Sequence, residues 1–186
     1  RQALVKVKEA DFDKHVPADE YGFYKYVCSK YAAKVDFITH LRLFGVFGKY
    51  ENYETRFISN AICRALLKIP VTINQNVVFD YLFIDDLVGI LERCILDKPE
   101  ETFINVGRCE TFDLKTLAEK VFIQIGYEVP VQIADDGLAK EYSCDVSVLR
   151  KLFAGFSYIH RKPSGSKRFF CLRKRGRPTL NRFPRI

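Results

Sequence analysis

The chain has no tryptophan, no methionine and only three histidines among its 186 residues. It has no C-x-x-C pair either. Cys28, Cys63, Cys94, Cys109, Cys144 and Cys171 are widely scattered, and His15, His40 and His160 do not stand at ligand spacing from them. This argues against a zinc site and against the disulfide framework of a small secreted domain. Thiols spread in this way fit core positions in a protein of the reducing cytoplasm. No apolar run approaches the roughly 20 residues that span a bilayer. The opening residues, RQALVKVKEADFDKH, lack an apolar stretch followed by a small-residue cleavage site, so they do not read as a signal peptide. With no methionine at its start, the chain reads as beginning in mid-protein.

Acidic residues are missing from one region in particular. From His160 to the end there are ten Lys and Arg and no Asp or Glu, whereas the first 159 residues hold 20 basic and 23 acidic side chains. The overall charge of +7 therefore belongs to the tail. Basic residues interleaved with Phe can grip nucleic acid or an anionic membrane. No recognisable binding fold accompanies them, so residues 157–186 are expected to be a poorly ordered, solvated end. Neither nucleic acid nor membrane is an expected partner. The length suits one domain with a real core and is too short for two large ones.

What is present starts with residues 17–34, PADEYGFYKYVCSKYAAK. Pro17 cannot continue an incoming helix, and Asp19 is a suitable N-cap. Within the predicted helix Tyr21 and Lys25 stand one turn apart on one face. An ammonium held beside a phenol favours the phenolate, which suits a general base or acid. Tyr26 and Lys30 repeat the same spacing. Cys28, Ser29, Ala32 and Ala33 are small enough for one side of the helix to pack closely on a sheet.

Further along, residues 37–47 read as a buried strand delivering the glycines Gly45 and Gly48. Such glycines allow a backbone to approach a ligand closely, or simply make a tight turn. Residues 54–67 form an amphipathic helix pattern closed by Pro70. Residues 71–73 and 77–83 read as short strands separated by Asn74, Gln75 and Asn76. A helix then starts with Asp85 as its expected N-cap and runs to about Leu96. Residues 102–106 form a short strand, and a helix capped by Asp113 ends at Gly126. Beyond that the pattern weakens, with one short helix expected within residues 143–153. Alternating strands and helices predict an α/β sheet with helices on its faces.

The order of these segments is informative: P-x-x-x-Y-G with Lys four residues on, then LRLFGVFG, TRFI, FDYLFIDDLV, FINVG and LAEKV. Over residues 17–156 the chain resembles the extended short-chain dehydrogenase/reductase family, specifically the NAD-dependent epimerase/dehydratases that act on nucleotide sugars. The resemblance implies the C-terminal part of a Rossmann-like doubly wound parallel sheet plus a small α/β substrate-binding region. Residues 1–156 would be a partial domain lacking its N-terminal dinucleotide-binding half. Tyr21 is preferred to Tyr26 because it is followed by glycine and leaves a full helix before the LRLFG strand.

The family then implies an NAD(P)-dependent nucleotide-sugar epimerase or dehydratase. Tyr21 would exchange a proton with a sugar oxygen while hydride passes to or from the nicotinamide of NAD or NADP. Lys25 would tune Tyr21 and bind the nicotinamide ribose, and Phe44, Gly45 and Val46 would lie against the nicotinamide. Arg56, with Phe57 beside it, is the substrate-side candidate near the diphosphate; an ordinary exposed arginine is the plain alternative. No metal is implied, and a homodimer is expected for the full-length protein, with Phe23, Val27 and Tyr31 available to it. The alternatives are a 4-keto reductase of the same family and a non-catalytic fragment that binds partners or nucleic acid through its tail. Two departures stand out. The G-x-x-G-x-x-G fingerprint is absent, and Phe79-Asp80 replaces the family's frequent Arg-Asp.

Overall fold

A computed structural model describes residues 4–158. The basic tail, including His160 and Cys171, lies outside these residues. The elements, in order, are β1 (Leu4–Val7), α1 (Glu20–Ala32), β2 (His40–Leu43), β3 (Val46–Phe47), α2 (Phe57–Leu66), β4 (Val71–Asp80) and β5 (Leu82–Phe83). They continue with α3 (Ile84–Asp97), β6 (Phe103–Val106), β7 (Thr111–Asp113), α4 (Leu114–Ile125), β8 (Val131–Cys144) and α5 (Ser147–Leu152).

Parallel pairing dominates. β1, β8, β4 and β7 form a four-stranded sheet in that order, with only the β4–β7 pair antiparallel. Two further parallel pairs, β2 with β6 and β3 with β5, continue the α/β layering. This is the mixed, parallel-rich arrangement expected of a Rossmann-like fold.

Two hydrophobic cores sit within it. In the first, Ala61 and Ala65 of α2 pack with Leu117 and Val121 of α4 and with Val71 and Ile73 of β4. In the second, Leu87 and Ile90 of α3 pack with Ile104 and Val106 of β6, and with Leu149 and Phe153 from the α5 region. Phe156 and Tyr158 join this second core, and the Tyr158 hydroxyl donates to the Gly107 carbonyl at 2.8 Å.

Several helix ends follow from local sequence. Asp19 caps α1, accepting from the Gly22 amide at 2.8 Å. Asp113 caps α4, accepting from the Thr116 amide at 3.0 Å, and Gly126 ends that helix in the left-handed conformation. Burial pushes the Asp113 carboxyl up, but bonds from Thr116 and Asn76 outweigh it and hold the group below its usual range.

The structure departs from the sequence reading in four places. Residues 74–76 do not interrupt a strand, since β4 runs unbroken from Val71 to Asp80. The irregularity is in its partner: Gln75 pairs with Asp135 but Asn76 pairs with Leu138, so Asp136 and Gly137 bulge out. That partner, β8, is 14 residues long and was not anticipated. Asp85 lies inside the first turn of α3, whose N-cap is Phe83, where a carboxylate still favours the helix N-terminus. Among the described thiols only Cys144 is buried, while Cys28 and Cys109 are exposed.

Candidate active site

Helix α1 repeats every 3.6 residues, so Lys25, Ser29 and Ala32 fall on one line along it. Ser29 and Ala32 are buried on that line. Tyr21 and Lys25 continue it toward the N-terminus but stay open, with Tyr21 at 73% exposure. The Lys25 ammonium lies over the Tyr21 ring at 5.4 Å from its centroid and over Tyr24 at 5.9 Å. It also bears on β2, because burial, Arg42 and then Lys25 together push the His40 imidazole below its usual range.

Tyr26 stands five residues after Tyr21, about 140° around the helix. Its hydroxyl donates to Asp13 Oδ1, and Lys30 Nζ pairs with Asp13 Oδ2 at 2.7 Å. The Asp13 bond pushes the Tyr26 phenol up, the opposite of what a base at neutral pH requires. This second pair fastens the lead-in segment to α1.

Strand β2 delivers Phe44 and Gly45 at its carboxyl end. The Phe44 ring packs against Tyr142 at 5.0 Å between centroids. Tyr142 belongs to β8, in register with Phe79 of β4, and those rings are 5.8 Å apart. Phe79 in turn meets Tyr81 at 5.4 Å. Burial pushes the Tyr142 phenol up, with smaller contributions from Cys144 and Tyr21, so Tyr21 is within electrostatic reach of it. An aromatic row thus runs from Phe44 through Tyr142 and Phe79 to Tyr81.

At Gly45 a Cβ would fall 2.6 Å from the Asp80 carbonyl oxygen and 3.1 Å from the Tyr81 ring. The Gly45 carbonyl accepts from the Leu82 amide at 2.7 Å. Close approach of two protein segments therefore requires glycine here, whatever else binds nearby. Val46 pairs with Leu82 and packs against the second core.

The far end of the row is polar. Burial pushes the Tyr81 phenol up to about 12, with Glu51 adding to the rise and Arg56 opposing it. Arg56 is exposed and precedes α2 as its N-cap residue. Phe57 is half-buried and packs against the first core. Glu51 accepts from the Ser59 hydroxyl at 2.5 Å.

Asp80 faces away from this row. It is fully buried, and its carboxylate accepts from the Arg108 and Cys109 amides, each at 2.8 Å. Burial pushes the carboxyl up while these bonds pull it down. It fixes the turn after β6. Tyr142, Tyr81 and Glu51 escaped the sequence reading. Only the pairing of β8 with β4 brings Tyr142 to Phe79 and Phe44, and no local motif encodes that register. Among the described residues, no group of three or more His, Cys, Asp or Glu is placed to hold a metal ion.

Residues 9–107 match the NAD dependent epimerase/dehydratase family. Similar solved structures include UDP-glucuronic acid 4-epimerase from Bacillus cereus in complex with UDP-glucuronic acid and NAD. It has a TM-score of 0.68 and 20% identity, over 82% of this chain and 51% of that one. UDP-N-acetylglucosamine 4-epimerase from Methanobrevibacter ruminantium M1 has a TM-score of 0.67 and 20% identity, over 78% and 50%. dTDP-glucose 4,6-dehydratase from Bacillus anthracis, in complex with NAD, has 0.67 and 15%, over 85% and 53%. The chain thus spans about half the length of these structures. No significant match is found among curated proteins. With more than half of its residues inside the family match and the fold in agreement, the chain belongs to the NAD dependent epimerase/dehydratase family.

Proposed function

We propose that this chain forms the C-terminal, substrate-side part of an NAD(P)-dependent nucleotide-sugar epimerase or dehydratase, with Tyr21 and Lys25 as its proton-transfer pair. One observation carries the reading: the line of α1 that is buried at Ser29 and Ala32 is left open at Tyr21 and Lys25, with the Lys25 ammonium over the Tyr21 ring. Ligands of open α/β sheets bind at the carboxyl ends of the strands.

The residues present fit a nicotinamide. Phe44 offers an aromatic face braced by Tyr142, and Lys25 an exposed cation one turn before the buried Ser29. Phe44, Gly45 and Val46 would border the ring, and Lys25 would bind its ribose. When bound, the nicotinamide supplies the hydride acceptor or donor. Tyr21 takes the proton from a sugar hydroxyl as that carbon is oxidised, and returns a proton to the keto oxygen in the reverse step. Lys25 holds positive charge beside the phenol and stabilises its anionic form. Arg56, exposed before α2, would meet a phosphate, with Phe57 beside it packed against the first core.

The dinucleotide fingerprint is supplied, on this reading, by sequence upstream of Arg1. Pairing of two copies through the exposed Phe23, Val27 and Tyr31 of α1 completes the proposed assembly. Extending the reading frame upstream and titrating the longer protein with NAD and NADP tests the reading. Saturable binding of either cofactor, with turnover of a UDP-sugar lost in Tyr21→Phe, is expected. An upstream segment without a glycine fingerprint, and no binding, would overturn it.

A further inference from the structure

The turn after β6 holds a cysteine in a conformation that suits glycine. Cys109 has a φ of 58°, in the left-handed region where residues other than Gly, Asn and Asp are uncommon. Such residues are held there by their surroundings, and they cluster at functional and switch segments. Asp80 does the holding, because its Oδ2 accepts from the Cys109 amide at 2.8 Å. The same oxygen accepts from the thiol of Cys144, at the end of β8, with the sulfur 3.7 Å away. Gly107 brings the turn still closer. A Cβ there would fall 2.5 Å from the Cys144 sulfur, so the backbone two residues before Cys109 rests directly on it.

Two cysteines thus share one carboxylate, Cys109 exposed and Cys144 fully buried. Burial pushes the Cys144 thiol up, and Asp80, Cys109 and Glu9 add to the rise, so the two thiols are within electrostatic reach of each other. Among the described residues no such cluster is arranged to hold a metal ion. What the arrangement offers instead is sulfur chemistry.

We propose that Cys109 and Cys144 are a peroxide-responsive thiol pair, closing reversibly into a disulfide between the turn after β6 and the end of β8. Hydrogen peroxide reaches the exposed Cys109. Its sulfur attacks the peroxide, the O–O bond breaks, and Cys109 becomes a sulfenic acid with release of one water. The Cys144 sulfur then attacks the Cys109 sulfur while Asp80 takes the Cys144 proton. The S–O bond breaks, and hydroxide leaves with that proton as a second water. The thiol pair is oxidised by two electrons, and the peroxide is reduced to two waters. Asp80 suits the transfer, because burial pushes its carboxyl up against the opposing pull of the Arg108 and Cys109 amides. Reversible bonds of this kind, unlike structural disulfides, are compatible with a reducing compartment. The proposal is independent of the proposed catalytic reading and needs neither cofactor nor sugar substrate.

Peptide mapping of the full chain tests it. After exposure to hydrogen peroxide, free thiols are alkylated in denaturant and the protein is digested without reduction. A Cys109 peptide joined to a Cys144 peptide is expected, and dithiothreitol should return both to alkylatable thiols. In Cys109→Ser the cross-link should be lost and Cys144 should stay reduced under the same exposure. In Cys144→Ala, Cys109 should stop at the sulfenic acid, which dimedone captures. The first variant alters an exposed side chain, so the test stands even where the buried Cys144→Ala fails to fold. Both thiols still reduced after exposure would overturn the proposal. So would Cys109 carried on to sulfinic acid beside a reduced Cys144, or a bond from either one to a different cysteine.

Discussion

Helix α1 carries the same tyrosine–lysine spacing twice, and the two copies have different fates. Tyr26 and Lys30 converge on Asp13, and both functional groups are occupied there. Tyr21 and Lys25 lie about 140° away, on the line that becomes buried one turn later. Among the described residues, no carboxylate bonds their polar ends as Asp13 bonds those of Tyr26 and Lys30. Spacing alone cannot separate the pairs, because i and i+4 place side chains on one face wherever that face points. What separates them is the partner that tertiary structure brings to each. Asp13 of the lead-in segment clamps the second pair, whereas the first is left exposed.

The contrast can be broken most severely through the phenols. In the active, upstream-extended protein, Tyr21→Phe should lower kcat by about 10²-fold or more, the range of a positioned general acid–base. Tyr26→Phe should leave kcat within about threefold and loosen only the lead-in segment, which limited proteolysis reads directly. The lysines sharpen the same contrast with a smaller effect. Lys25→Met should reduce turnover about tenfold and weaken cofactor binding, while Lys30→Met changes neither.

The support behind the first pair can be tested without turnover. Tyr142→Leu removes the ring between Phe44 and Phe79, and should cost about 2 kcal/mol of folding stability in a denaturant titration. The smallest effect is spectroscopic. Asp13 holds the Tyr26 phenol protonated, so that contribution to stability is complete below the ordinary tyrosine value near 10 and is lost as pH rises through the raised one. Asp13→Asn should therefore move the Tyr26 absorbance titration down toward its ordinary range. An unchanged curve would mean that Tyr26 is not clamped.

These contrasts also show what the sequence could carry. The caps Asp19 and Asp113, the stop at Gly126 and the alternating α/β character are local signals, and each is readable. β8 is not. Its middle residues are exposed, and Asp136-Gly137 reads as a turn although it is a bulge within a 14-residue strand. Missing that strand also hid Tyr142, because only the register of β8 against β4 sets it beside Phe44. Asp80 shows a related limit. A carboxylate in a strand suggests a ligand contact, whereas burial and two amide donors commit it to the turn after β6. Gly45 reads in the sequence as a site of ligand approach or a tight turn, and its backbone lies close to the Asp80 carbonyl and the Tyr81 ring.

The most direct test of the contrast is nuclear magnetic resonance of the upstream-extended protein with ring-labelled tyrosines, titrated with NAD. The account predicts saturable shifts of Tyr21 and Tyr142 at the same cofactor concentration, with Tyr26 unmoved. Movement of Tyr26 with Tyr21 unmoved would contradict it and make the Asp13-bound pair the site.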